Sequence, residues 1–215
     1  MLDRKHYIMK YFLDFGTHKF EGLEEFIPKL GIDNTYSVYC FEPNKTIFDL
    51  SQDISEKYKS KFYSFKHFNL AVMDYTGKIT FNSHKGAWNR NEYIEGYTTG
   101  SNCLDINPKI DYGNGVIFDI ESTQCNCVDI DEIISSIVSS DSDAEIIIKC
   151  DIEGSEFVVL PRLISSQYIR HVKCIFIEWH ERFWYDTNEY YNKIQQRQNI
   201  INNFNMLGIQ NYVHT

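Results

Sequence analysis

Three carboxylates crowd one glycine where the apolar run Ile146-Ile147-Ile148 gives way to Lys149-Cys150-Asp151-Ile152-Glu153-Gly154-Ser155-Glu156. Glu178 and His180 close a second apolar run that starts at Cys174. Groups of these types can draw a proton from a hydroxyl within hydrogen-bond reach, orient a polar ligand or hold a cation. Either His180 or Asp151 is suited to accept the proton, with Glu178 and the other acids orienting the reactants. Asp151, Glu178 and His180 could also place a diol around Mg²⁺, but imidazole suits so hard a cation poorly, and a metal-free site is expected. Structural uses compete with the chemical ones. Glu153 and Glu156 could merely favour the start of a helix, and Lys149, inside an apolar run, needs a carboxylate partner such as Glu156 if buried. Asp151 has the strongest functional claim of the three acids.

A separate set of residues points to a ligand-binding turn. Leu13-Asp14-Phe15-Gly16-Thr17-His18 puts an acid and a glycine at the end of an apolar run. Glycine there permits an unusual turn and a close backbone approach. The Gly-x-Gly-x-x-Gly of a nicotinamide fold is missing, since only Gly16 is in place, and an acid at the strand end suits a ligand with an ammonium group. Phe41-Glu42-Pro43-Asn44 ends the next such run, and a carboxylate at that point can accept both ribose hydroxyl hydrogens of an adenosine. Together the two signals favour a nucleoside-type cofactor.

These groups need a scaffold, and the hydrophobic pattern supplies one. Strands are expected at Lys10 to Asp14, Tyr36 to Phe41, within Lys61 to Val72, at Lys78 to Phe81, Ser122 to Val128, around Ile146, at Cys174 to His180 and at Asn211 to His214. Helices are expected at Glu21 to Lys29, Lys45 to Tyr58, Asp129 to Val138, after Asp151 and at about Glu189 to Met206, the last stopped by Gly208. Asp74-Tyr75-Thr76-Gly77 reads as a hairpin turn. Residues 83–119 show no pattern and are expected to be a long loop insertion in one domain covering 1–215. Strands alternating with helices imply an α/β fold with a mostly parallel sheet covered on both faces.

Composition narrows the function. The 215 residues carry a formal net charge of −9, which argues against a nucleic-acid partner, and Lys57, Lys59 and Lys61 read as solvated surface. No apolar run approaches the ~18 residues of a membrane span, and the N-terminus has no signal-peptide core. Cysteines at 40, 103, 125, 127, 150 and 174 lack zinc-site spacing and are expected to be reduced and structural, as in a cytoplasmic protein. Nothing in the sequence specifies an oligomeric state.

From Leu13 onward the chain resembles the FkbM-type family of S-adenosylmethionine-dependent methyltransferases. The residues that carry the resemblance are Leu13-Asp14-Phe15-Gly16, Phe41-Glu42-Pro43-Asn44, Asn69-Leu70-Ala71-Val72-Met73-Asp74 before Gly77, and Gly100-Ser101-Asn102-Cys103-Leu104. They continue with Val128-Asp129-Ile130-Asp131-Glu132-Ile133, Lys149 to Glu156 with Val159-Leu160, and Ile177-Glu178-Trp179-His180, in the family's order over about residues 11–208. The resemblance implies a class I, Rossmann-like three-layer sandwich, with further strands generally following the point where this chain ends. It implies S-adenosyl-L-methionine bound by Asp14, Gly16, Thr17, His18, Glu42, Pro43, Asn44, Asn69, Ala71, Ser101 and Asp151. It also implies O-methylation of a sugar, glycan or small-molecule hydroxyl, for which Asp151, Glu178 and His180 are the catalytic candidates; because aromatic faces support sugar rings, the loop aromatics Trp88 and Tyr93 are the expected acceptor contacts. One departure stands out. The family's Asp-x-Gly-Ala-Asn-x-Gly turn has Thr17, His18 and Phe20 in place of Ala, Asn and the second Gly. A shifted turn through Gly22 would restore the missing freedom. Two other readings share the fold: a nucleic-acid or protein methyltransferase, disfavoured by the acidic charge, and a non-enzymatic module whose Phe20 fills the cofactor turn.

Overall fold

The computed structural model describes residues 8–89, 92–95, 101–103, 116–185 and 187–214, with backbone alone for 86–89, 92–95 and 116–118. In chain order the elements are β1 (Lys10–Phe15), α1 (Glu21–Leu30), β2 (Tyr36–Phe41), α2 (Lys45–Leu50), α3 (Gln52–Tyr58), β3 (Ser64–Phe68), β4 (Ala71–Met73), β5 (Gly77–Asn89), β6 (Glu92–Glu95) and β7 (Val116–Asp129). They continue with α4 (Ile130–Ser140), β8 (Glu145–Cys150), α5 (Glu156–Ile164), β9 (Val172–Ile177), α6 (Glu189–Met206) and β10 (Gln210–Val213). Single 3₁₀ turns at Ile169–His171 and Glu181–Trp184 flank β9.

Six strands form a wholly parallel sheet in the order β10-β9-β8-β1-β2-β3. Period-two alternation sorts its side chains between two cores. Tyr11, Leu13 and Phe15 of β1 and Ile146, Ile148 and Cys150 of β8 face the core under α4, α5 and α6. Phe12 of β1 and Val38 and Cys40 of β2 face the core under α1 and α3. A strand buried on both faces must be apolar nearly throughout, which is why β8 reads as a continuous β-branched run. The expected three-layer α/β sandwich with a mostly parallel sheet is the fold observed.

The register aligns the strand ends. Phe15 pairs with Phe41 and with Cys150, and Cys150 pairs with Ile177. Gly16, Glu42, Asp151 and Glu178 therefore leave the sheet side by side at its carboxyl edge. Their backbone amides extend the ladder by one more rung, Gly16 N–H to the Phe41 carbonyl, Glu42 to Phe68, Asp151 to Phe15 and Glu178 to Cys150, each at 2.9–3.1 Å.

Several boundaries differ from the sequence reading. Residues 83–119 are not one patternless loop where they are described. β5 runs on to Asn89 and β7 begins at Val116, paired antiparallel from Gly77↔Cys127 to Asn89↔Val116 with one irregularity at His84/Gly86. These strands form a second sheet, β4-β7-β5-β6. Asp74–Gly77 is not a hairpin between paired strands, because it carries the chain across the end of β7 and places β4 and β5 on opposite sides of it. The expected strand in Lys61 to Val72 splits into β3 and β4, one in each sheet. The expected Lys45 to Tyr58 helix breaks at Ser51 into α2 and α3. All six cysteines are unpaired. No helix among the described residues is long and apolar enough to cross a membrane.

Candidate active site

A cavity of about 420 Å³ opens at the carboxyl edge between the two sheets. That is within the range of small-molecule sites. Its floor is the turn after β1. Gly16 has φ +77, and a Cβ there would fall 1.7 Å from the Asp151 carbonyl oxygen. The glycine is needed for the close approach of its own neighbouring strand, and the turn needs its left-handed backbone. Thr17 Oγ1 donates to the Asp14 carbonyl at 3.0 Å, and the Thr17 N–H joins that of Gly16 on the Phe41 carbonyl.

Glu42 is the most constrained group on the wall. One carboxylate oxygen accepts the His18 N–H at 2.8 Å and the other the Asn44 N–H at 2.7 Å. Burial pushes its carboxyl up to about 7, against the lowering effect of those two amides. Asn44 caps α2, accepting from the Thr46 and Ile47 amides. Gly16, Thr17, His18, Glu42, Pro43, Asn44, Ala71, Ser101 and Asp151 all line the cavity. Two expected cofactor residues do not. Asn69 donates its amide to the Glu42 and Pro43 carbonyls at 2.9 and 3.1 Å and so pins the loop after β2.

Asp14 is the second exception, since it is fully buried beside Lys149 rather than exposed to a ligand ammonium. Register explains the pair. Asp14 and Lys149 are direct neighbours across β1 and β8, on the face covered by α1. Lys149 Nζ lies 3.2 Å from Asp14 Oδ1 and 3.3 Å from Asp151 Oδ2, and donates to the Gly16 carbonyl at 2.9 Å. Burial alone would lower its pKa, but the two carboxylates outweigh burial and raise it. A Cβ on Gly22 would lie 2.8 Å from Lys149 Cε, so this glycine makes room for the lysine rather than replacing a missing cofactor glycine.

The other end of the cavity is acidic. Asp151 and Glu153 line it, and Glu178 and His180 lie just beside them. His180 is completely buried. Its Nε2 is 3.2 Å from Glu153 Oε2, 3.5 Å from Glu178 Oε1 and 3.6 Å from Asp151 Oδ1. Its other nitrogen, Nδ1, is 3.3 Å from Glu156 Oε1, which also accepts the His180 N–H at 2.7 Å. Burial presses the imidazole toward neutrality, but Glu156, Glu153 and Asp151 prevail and raise its pKa to about 9. Glu156 Oε2 accepts the Gly154 N–H at 2.8 Å.

Glu156 is thus neither a mere first-turn acid nor a partner of Lys149, as the sequence suggested; it fixes the imidazole and the preceding turn. Glu153 is no helix-start acid either, because α5 begins three residues later and Glu153 has a left-handed backbone with φ 50.

A family model described as the methyltransferase FkbM domain matches residues 14–201. The chain belongs to the FkbM methyltransferase family. Among solved structures, methyltransferase FkbM from Methylobacillus flagellatus KT is similar at 14% identity and a TM-score of 0.46, covering 92% of this chain and 39% of that one. No curated protein matches the chain.

The departure from the usual FkbM turn has a local solution. Phe20 takes the left-handed backbone that a glycine would take, φ 73, at the start of α1. Its ring is fully buried against Tyr58, Phe65 and His67, away from the cavity. It does not line the cavity beside that turn, the position the non-enzymatic alternative expected of it. The expected acceptor contacts of Trp88 and Tyr93 concern side chains outside the described residues, although the two positions face each other in the β5–β6 pair. Sequence reasoning missed Lys149 and Glu156 as site residues, and also His214. His214 reaches the cavity only because β10 joins the sheet, and nothing local in the sequence marks it.

Proposed function

We propose that this FkbM-family protein transfers the methyl group of S-adenosyl-L-methionine to a hydroxyl of a sugar, glycan or small-molecule acceptor. The observation that carries the reading is the position of Glu42. Its two oxygens are oriented by backbone amides at the cavity wall, with lone pairs left for the two ribose hydroxyls of an adenosine. With an adenosine held there, the Gly16 turn would receive the methionine part, and Asp151 and Glu153 at the other end of the cavity would be left for the acceptor.

At that end the acceptor oxygen attacks the methyl carbon, the carbon–sulfur bond breaks, and the sulfonium leaves as a neutral thioether. A hydroxyl needs a base to take its proton. Asp151 is the best placed, because it lines the cavity whereas the His180 ring is buried behind it. Lys149 holds one Asp151 oxygen and leaves the other toward His180 and the cavity. Glu153 and Glu178 offer acceptors for further hydroxyls, which suits a polyhydroxylated acceptor and repels a phosphate backbone. Much of the rate enhancement then comes from holding oxygen, methyl and sulfur in line.

The test is Asp151→Ala, assayed by thioether product formation with a panel of sugars and glycans. Activity is expected to vanish while the melting temperature stays near that of the parent. Near-normal turnover in the variant would sink the catalytic assignment, and failure of S-adenosylhomocysteine to bind the parent in calorimetry would sink the cofactor assignment.

A further inference from the structure

We propose that His180, Asp151, Glu153 and Glu178 form a binding site for one divalent cation of the Mn²⁺ or Fe²⁺ type. The imidazole carries the argument. It is completely buried, and its Nε2 makes no hydrogen bond to any described residue. Yet that nitrogen is aimed at three carboxylates from two different strand ends, at 3.2–3.6 Å. One ligand atom each from Asp151, Glu178 and His180 lie within 4.8 Å of one another, close enough to share a single cation.

The surroundings complete the arrangement. Metal-bound imidazoles characteristically give their second nitrogen to a carboxylate, which sets the tautomer and the ring plane. Glu156, also fully buried, supplies that carboxylate at Nδ1. Phe183 stacks on the ring with centroids 5.4 Å apart and planes 21° apart, so the imidazole cannot swing away.

Charge points the same way. Among the described residues, Asp151, Glu153, Glu156 and Glu178 gather around one imidazole with Lys149 and Arg182 as the fixed cations paired with them, so the acids outnumber those cations. Arg182 approaches Glu178 at 3.6 Å and Glu153 at 3.9 Å, but it is half exposed and can turn outward when a cation enters. Three carboxylates and one imidazole are a hard-to-borderline donor set, suited to Mn²⁺ or Fe²⁺ and unsuited to soft ions. The sequence-based expectation of a metal-free site weighed three of these groups; folding adds Glu153 in front of the imidazole and Glu156 behind it.

The role of the cation rests on the proposed methyl transfer. A cation beside Asp151 would bind the acceptor hydroxyl and ease loss of its proton. Its existence does not rest on that reading, and the experiment separates the two.

Chelator-treated protein, without cofactor or acceptor, is titrated with Mn²⁺ while the electron paramagnetic resonance signal of free Mn²⁺ is followed. One ion per chain is expected at micromolar affinity, with a nitrogen coupling from the imidazole. His180→Gln should abolish the coupling and weaken binding by about tenfold or more, and Glu178→Gln should weaken it similarly. Asp49→Asn, on the exposed face of α2, should change nothing. Absence of binding at millimolar Mn²⁺, or binding indifferent to Glu178→Gln and lacking the nitrogen coupling, overturns the proposal. Glu178 is partly exposed, so its variant decides the matter even if His180→Gln does not fold. S-adenosylhomocysteine affinity, measured separately, reports on the methyl-transfer reading alone.

Discussion

Replacing Lys149 by Met keeps the aliphatic stem and removes the charge, and the structure sets what this should cost. Lys149 is 2% exposed and faces Asp14 Oδ1 at 3.2 Å, while no hydrogen bond from a described residue reaches the Asp14 carboxylate. Removing one partner of a buried ion pair typically costs about 3–5 kcal/mol, because the other charge is left without compensation. The Gly16 carbonyl loses its donor as well. Asp151, a quarter exposed, can turn to water, but Asp14 can only take up a proton.

That escape gives the prediction its sign. Burial raises the Asp14 pKa and Lys149 is the main influence lowering it, so the variant's folded Asp14 must move further up. Above about pH 5 the unfolded chain has lost that proton while the folded variant keeps it. Its unfolding free energy then falls by up to about 1.4 kcal/mol for each unit of rising pH. Between about pH 5 and 7 this amounts to at most about 2.7 kcal/mol. The substitution should therefore cost about 3–5 kcal/mol at pH 7 and less at pH 5, by up to about 2.7 kcal/mol. Urea unfolding of both proteins at both pH values measures the difference, in which groups common to the two cancel. A cost below about 1 kcal/mol at pH 7, or the same cost at both pH values, would refute the reasoning. Adding Asp14→Asn to the variant should recover most of the loss, since no charge is then stranded.

Two further outcomes follow from the cavity floor and wall. Gly16→Ala combines a left-handed backbone with a Cβ 1.7 Å from the Asp151 carbonyl oxygen, so it should lose more than about 3 kcal/mol in thermal or urea unfolding; a loss under about 1 would contradict the packing. With its carboxyl raised to about 7, Glu42 must shed a proton to accept the ribose hydroxyls in acidic solution. S-adenosylhomocysteine affinity in calorimetry should then fall below pH 7 by up to about tenfold per unit, and Glu42→Gln should flatten the profile; a profile unchanged by that substitution counts against Glu42 as the ribose acceptor.

The parts of this molecule legible in its sequence are those governed by local pattern and by one topological rule. Strands buried on both faces had to be β-branched runs, and in a parallel sheet the residues after them meet at one edge. Hence Gly16, Glu42, Asp151 and Glu178 were all readable as neighbours before any coordinates. The second sheet was not. Alternation marks only Lys78 to Phe81 and Ser122 to Val128; beyond them the ladder pairs Asn82 with Ser122 on one face and Ser83 with Glu121 on the other, so the long extension of β5 and β7 leaves no hydrophobic period to detect.

The errors at single residues share a cause. A carboxylate's role depends on which way the chain turns around it, and here the turns are strained. His18, Phe20 and Glu153 all have positive φ without being glycine, and all lie at the carboxyl edge. Such conformations cost of order 1–3 kcal/mol each and persist only where surrounding structure enforces them. Enforcement is visible in each case: Glu42 holds the His18 amide, the aromatic cluster traps Phe20, and Glu156 clamps the Gly154 amide beside Glu153. The last clamp also explains why Glu156 was misread. Its spacing is that of a helix-start acid, but its partner His180 lies 24 residues on and meets it only when β9 docks beside β8. Sequence could show that acids gather at this edge. Which acid holds the imidazole and which faces the cavity depends on that docking and on the left-handed turn at Glu153, and neither is written in the local residue pattern.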